Sequence, residues 1–316
     1  MVEHRFAQLT AAATFILLVI GGTVNPTGSS LACPEPTLVC HGEFFPPMVG
    51  GVLYEHGHRL AAMSVGLLQI ALTYLLFTRR KDMRRLPFLL LGMVVTQGLL
   101  GAITVKYKLP WFISTAHLLL GFSYFATLIY TAFRTRPNPT VVELQQHENL
   151  RTDLGTARTW IAIAIWAVFI QLLLGALVRH LGAAMVCLGM PTCTLGGDWW
   201  PNHGVQHLHM IHRAFGVVTA IITITAAIAV ARRAWGWASV RMLALIAPLL
   251  VVLQIVLGIM TVVSRREVPY AVAHFAGAAS LWALWMSMWL ITAKRRAGVL
   301  AAPELPNARA LKAVSR

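Results

Sequence analysis

Residues 52–78 read VLYEHGHRLAAMSVGLLQIALTYLLFT, and residues 205–231 read VQHLHMIHRAFGVVTAIITITAAIAVA. Each stretch is mostly apolar and longer than the roughly 20 residues that cross a bilayer core. Each also carries a His-Arg pair near its start, His58-Arg59 in one and His212-Arg213 in the other, 154 residues apart. Ionisable groups inside apolar spans are costly and mark function. Their recurrence at one depth in two segments reads as an internal duplication.

The duplication extends outward from these segments. Gln97, Gly101, Thr104 and Val105 recur as Gln254, Gly258, Thr261 and Val262, and Ala116-His117 recurs as Ala273-His274, all offset by 157. Gly28 and Cys33 recur as Gly182 and Cys187, offset by 154. Small drifts in offset fall in loops, where insertions are tolerated. With 57% hydrophobic and only 12% charged residues, the chain reads as an all-α membrane protein. Eight transmembrane helices are predicted near 6–24, 52–78, 86–105, 110–133, 159–178, 205–231, 240–263 and 268–291. They form two repeated four-helix bundles (4+4) related by a pseudo-twofold. The N-terminal half spans 1–135, a linker 136–158, the C-terminal half 159–293 and a basic tail 294–316.

The placement of positive charge gives the orientation. Of the 26 Lys and Arg residues, 18 fall in Arg79 to Arg85, Arg134 to Arg158, Arg232 to Arg241 and from Lys294 onward. The long loops 25–54 and 180–204 hold none. Cytoplasmic segments retain positive charge, so both termini are expected in the cytoplasm and the long loops outside. A net charge of +15 confined to short juxtamembrane segments reflects topology and anionic lipid rather than nucleic acid. No small-residue cleavage site clearly follows the first apolar run, so it is read as mature structure.

Cys33 and Cys40 share the first long loop, and Cys187 and Cys193 the second. An oxidising exterior favours one disulfide in each, Cys33–Cys40 and Cys187–Cys193. The alternative is a metal site using these thiols with His41 or His203, although the C-x-x-C spacing usual for zinc is absent. His58 and His117 lie at similar depth below the outer surface, as do His212 and His274. Two imidazoles from facing helices can ligate one haem iron from both sides, which gives two candidate sites, one per half. The bland alternative is four hydrogen-bonded core histidines. His56, His207 and His209 are weaker candidates near the interface.

Glu55 breaks the symmetry, because its counterpart is His209. It stands one helical turn before His58 on the same face, where a carboxylate beside a porphyrin can accept protons; the alternative is a residue that orients His58 or pairs with Arg59. Arg59 and Arg213 can meet haem propionates or snorkel to the interface. Lys106, Lys108, Arg265 and Arg266 make both short outer turns basic, against the local topology rule. Trp111, Trp199 and Trp200 read as interfacial belt residues.

The duplicated halves, Glu55 to Arg59, the second His-Arg, the later histidines and the paired loop cysteines resemble the haem A synthase family, in its bacterial form. The resemblance covers roughly residues 6–293. It implies an oxidoreductase of the bacterial cell membrane that oxidises the C8 methyl group of haem O to a formyl group through hydroxylated intermediates, with water-derived oxygen and an external electron acceptor. Carried onto this chain, His58 and His117 would hold the substrate haem and His212 and His274 a resident haem b cofactor, with Glu55 as catalytic carboxylate. Cys33 and Cys40 would match the family's loop disulfide. Implied partners are haem O as substrate, haem A as product, haem O synthase, and the factors and subunits of the assembling cytochrome oxidase. A homo-oligomer stays open, as does a one-turn reassignment to His56 or His209. Two other classes fit the histidines: a di-haem membrane cytochrome b for electron transfer, and a haem carrier without chemistry.

Overall fold

The computed structural model describes residues 1–137 and 141–293; the basic tail 294–316 lies outside the described residues. Among the described residues nine α-helices follow one another: α1 (Val2–Val24), α2 (Gly50–Arg79), α3 (Leu86–Lys106), α4 (Trp111–Arg134), α5 (Val141–Leu154), α6 (Ala157–His180), α7 (Gly204–Arg233), α8 (Ala238–Val263) and α9 (Val268–Ile291). Among the described residues there is no strand beyond a single bridge between Cys40 and Glu43. Every helix except α5 is long and apolar enough to cross a membrane. The protein is therefore all-helical and multi-pass, and all eight spans agree with the sequence reading to within a few residues.

α5 was not expected, since its segment reads as a linker. It is mostly polar, but Leu150 and Leu154, one turn apart, are buried in the main core. The indole N–H of Trp237, just before α8, donates to Asp153 at 3.2 Å. Two leucines at that spacing share one face of the helix and dock it against α6 and α7.

α4, α6 and α9 carry many of the buried positions, whereas α3 buries only Pro87 and Leu90. α1 packs on α2, α4 and α9; α6 packs on α7, α9 and α4; α3 lies between α2 and α4, and α8 between α7 and α9. α4 and α9 meet at the centre, where the Trp282 indole N–H donates to the Phe122 carbonyl at 3.1 Å. α1 approaches α9 closely at Gly22, where a Cβ would stand 2.9 Å from the Phe275 ring.

Two disulfide-closed loops, Cys33–Cys40 between α1 and α2 and Cys187–Cys193 between α6 and α7, cover one end of the bundle, called the loop end below. The short turns α3–α4 and α8–α9 lie at that same end. Each holds two consecutive non-glycine residues at positive φ, Lys108 and Leu109 (54° and 64°), and Arg265 and Arg266 (56° and 69°). Such backbone persists only where its surroundings fix it. Here Leu109 N–H donates to Thr104 and Arg266 N–H to Thr261, both at 2.7 Å.

Deep in the α1–α4 set, the Tyr124 hydroxyl donates to Gln69 Oε1 at 2.7 Å, and Gln69 Nε2 donates to Thr73 Oγ1 at 3.0 Å. All three residues are buried. Tyr124→Phe leaves the Gln69 oxygen unpaired and is expected to lower stability by about 1 kcal/mol, read as an earlier midpoint on unfolding from mixed micelles. The double variant Tyr124→Phe/Gln69→Leu should recover part of that loss.

Candidate functional site

A cavity of about 710 Å³ opens within the α1–α4 set towards the loop end, and Glu55, His58, Arg59, Gln97 and His117 all line it. α2 begins at Gly50 and α4 at Trp111, so His58 and His117 lie roughly 12 Å and 9 Å along their helices at 1.5 Å per residue. The structure thus brings the two histidines to one chamber with Glu55 on the same wall. In the α6–α9 set, His212 and His274 have the same insets and lie within electrostatic range of each other.

All four rings rest against a glycine of the preceding spanning helix. A Cβ on Gly21, Gly101, Gly175 or Gly258 would stand 2.8, 3.4, 3.2 or 3.1 Å from Cε1 of His58, His117, His212 or His274 respectively. The first two of those glycines recur at the offsets of the histidines themselves, Gly21 as Gly175 and Gly101 as Gly258. The absent side chain makes the space that an imidazole occupies between two close helices. Sequence reading matched Gly101 with Gly258 but assigned them no role.

The two sets differ in how the rings are held. The Nδ1 atom of His274 faces the Gln254 carbonyl at 3.1 Å, and Nδ1 of His212 faces the Gln171 amide at 3.2 Å. The Gln254 carbonyl can accept only from Nδ1–H of His274, which leaves the Nε2 lone pair of that ring free for ligation. Nδ1 of His58 has no partner, because the residue matching Gln171 is Leu17.

Arg59 and Arg213 each plug their own loop. Arg59 donates from Nη1 to the carbonyls of Glu35, Thr37 and Val39 at 2.6, 2.7 and 3.2 Å, and from Nη2 to Cys33 O at 3.1 Å. Arg213 donates to the carbonyls of Gly189, Thr192 and Cys187 at 2.8, 2.9 and 2.7 Å. Both terminal nitrogens of Arg59 are thus engaged by loop carbonyls. Glu55 completes the first plug: Oε1 pairs with Arg59 at 2.6 Å and Oε2 accepts the Cys33 N–H at 2.9 Å. In the loop itself, Glu35 is held below the usual carboxylate range by its own backbone N–H and by those of His41 and Gly42.

The weaker histidines are drawn elsewhere. The His56 ring meets the Phe44 carbonyl at 2.9 Å and does not line the chamber. His207 stacks on Trp200 with centroids 4.4 Å apart. His209 is buried at the position matching Glu55. His56 lies close to Cys33 and Cys40, but those sulfurs are joined in a disulfide and supply no thiolate. Two chamber residues escaped the sequence reading: Arg179 and His180, from the end of α6. The available signal was their place beside a long loop that otherwise lacks basic residues.

The COX15-CtaA family, described as "Cytochrome oxidase assembly protein", matches residues 50–286. The chain is 27% identical to a protein named "Heme A synthase" from Bacillus licheniformis, over 91% of this chain and 95% of that one. It is 26% identical to one of the same name from Shewanella oneidensis (87% and 92% covered) and 30% identical to one from Symbiobacterium thermophilum (70% and 72% covered).

Arg59→Ala removes the donors that gather five acceptors around the first loop. Limited proteolysis within residues 34–39 is expected to accelerate at least about tenfold, while the second loop keeps its parental rate.

Proposed function

The chain belongs to the COX15-CtaA family of cytochrome oxidase assembly proteins, and we propose from that membership that it is a haem A synthase, converting haem O to haem A for terminal cytochrome oxidase. The observation that carries this reading is one chamber lined by two histidines from facing helices and by a buried carboxylate.

The helices form two four-helix halves. Support comes from the packing, which is preserved when α1, α2, α3 and α4 are exchanged with α6, α7, α8 and α9, and from the left-handed turns that recur in both sets. The protein lies in a bacterial cell membrane with the disulfide loops outside and the termini in the cytoplasm, as the distribution of Lys and Arg favours.

His58 and His117 take the iron of haem O in the chamber and fix the height of its ring. An unpartnered Nδ1 on His58 suits a site that must accept and release a molecule. Conversion of a methyl to a formyl group, with water as oxygen source and an external electron acceptor, releases protons. Glu55 accepts them at a carboxylate oxygen, and Arg59 and the Cys33 N–H keep that carboxylate in place. The disulfide loop roofs the chamber, holding water back while leaving this proton route at its edge.

His212 and His274 suit a resident haem b. Their Nδ1 atoms are engaged by Gln171 and Gln254, and glycines open the space beside both rings. Bound there, haem b would supply one-electron chemistry. Gln171 Nε2 faces Nδ1 of His212 at 3.2 Å and donates to the His212 backbone carbonyl at 3.1 Å, so one amide holds both the ring and the backbone of that residue. Substrate is expected from haem O synthase and product passes to the assembling oxidase.

Expression in cells that make haem O but lack their own synthase tests the reading, with extracted haems separated and weighed by mass spectrometry. The parent is expected to yield haem A. Glu55→Gln should lower haem A at least about a hundredfold with haem still bound, and undiminished haem A would overturn the catalytic role. His212→Ala and His274→Ala should each empty the haem b site, read by the pyridine haemochrome.

A further inference from the structure

The chamber of the first half is completed by the second. Arg179 and His180 reach it from α6, together with Phe275 from α9. At the 154-residue offset their counterparts are Asn25 and Pro26, so α1 supplies no cation in return.

The surroundings of Arg179 are anomalous for a guanidinium. One terminal nitrogen donates to the Gly21 carbonyl at 3.3 Å, and the group lies 5.6 Å from the centroid of the Phe275 ring. Its Nε is buried with no hydrogen-bond partner. No carboxylate pairs with it among the described residues, and Arg266 is within electrostatic range. Glu55, the one acidic side chain lining the chamber among the described residues, is taken by Arg59 and the first loop. A guanidinium without a counter-ion in an apolar bundle is costly. The unpartnered Nε is shared with Arg213, but Arg59 and Arg213 each have both terminal nitrogens taken by loop carbonyls, and Arg179 has one carbonyl in all.

His180 does not take up the slack. Thr115 Oγ1 donates to the Trp111 carbonyl at 2.7 Å, so it accepts from His180 Nδ1 at 3.2 Å. The neutral ring then has only a lone pair at Nε2. Arg179 is the donor that an anion in the chamber would meet.

We propose that Arg179 binds a propionate carboxylate of the porphyrin substrate, so that the substrate site of one half is finished by a residue of the other. The inference rests on the reading of the chamber as the haem O site. Arginine pairs with carboxylates through parallel N–H donors, and the side chain stands next to Gly21, on which the His58 ring rests. A propionate held there would fix the rotation of the porphyrin about the His58–His117 axis, and so decide which edge group is presented to Glu55. An anionic lipid headgroup is the competing source of negative charge.

The test titrates purified protein with haem O and with haem O dimethyl ester, in nanodiscs of phosphatidylcholine and of phosphatidylglycerol. Signal lost in His58→Ala/His117→Ala defines the first-half site. The parent is expected to bind the free acid there at least about tenfold more tightly than the diester. Arg179→Gln should bind both alike, whereas Arg179→Lys should keep a reduced preference. Haem b content reports folding in every variant. An undiminished preference in Arg179→Gln with normal haem b would overturn the arginine's role. Equal binding of acid and ester by the parent, with phosphatidylglycerol weakening haem O binding only when Arg179 is present, would assign the group to lipid. Binding of haem O unchanged in His58→Ala/His117→Ala would instead overturn the reading of the chamber.

Discussion

A guanidinium placed where an apolar bundle meets its loops must be surrounded by acceptors, because a polar group left unpaired there costs kilocalories per mole. Arg59 and Arg213 meet that constraint in the same way, each drawing the carbonyls of one disulfide-closed loop down onto the helix mouths. The rest of the loop end follows from this. The disulfides shorten the loops so that several carbonyls converge on one group, and the buried Glu55 is positioned by the same arginine that it helps to neutralise. The roof of the chamber and the carboxylate on its wall are one hydrogen-bonded unit.

Below that roof, a second constraint is steric. Four imidazoles lie at comparable depth between closely packed helices, and each is admitted by a glycine on the neighbouring helix. A ring so enclosed has few rotamers left, which suits proposed ligands that must face one another across a planar group. One difference between the two sets beside these rings is Leu17 against Gln171. One histidine is held by an amide and its counterpart is not. The divergence matches the proposed division between a permanent haem and a transient one.

The same economy exposes Arg179. Both terminal nitrogens of Arg59 and of Arg213 are taken by loop carbonyls, whereas the Arg179 guanidinium meets a single carbonyl. Packing of α6 against α4, and of α1 against α9, makes the chamber a joint product of both four-helix sets, so neither would retain the proposed substrate site alone.

The sequence by itself determined the eight spans, because apolar length is a local property that the bilayer reads directly. It also singled out the four histidines and Glu55 as candidates, since ionisable side chains in such spans stand out against their neighbours, and it determined the cysteine pairing, since each loop holds only two. α5 escaped because its docking depends on two leucines within a polar segment, a weak periodic signal. Only the tertiary structure decided that Arg59 and Arg213 turn to their loops, that glycines on other helices seat the four rings, that His56 faces away from the chamber, and that Arg179 enters it from α6. Each of these depends on the rotation of one helix against another distant in sequence, and linear spacing carries no record of that angle.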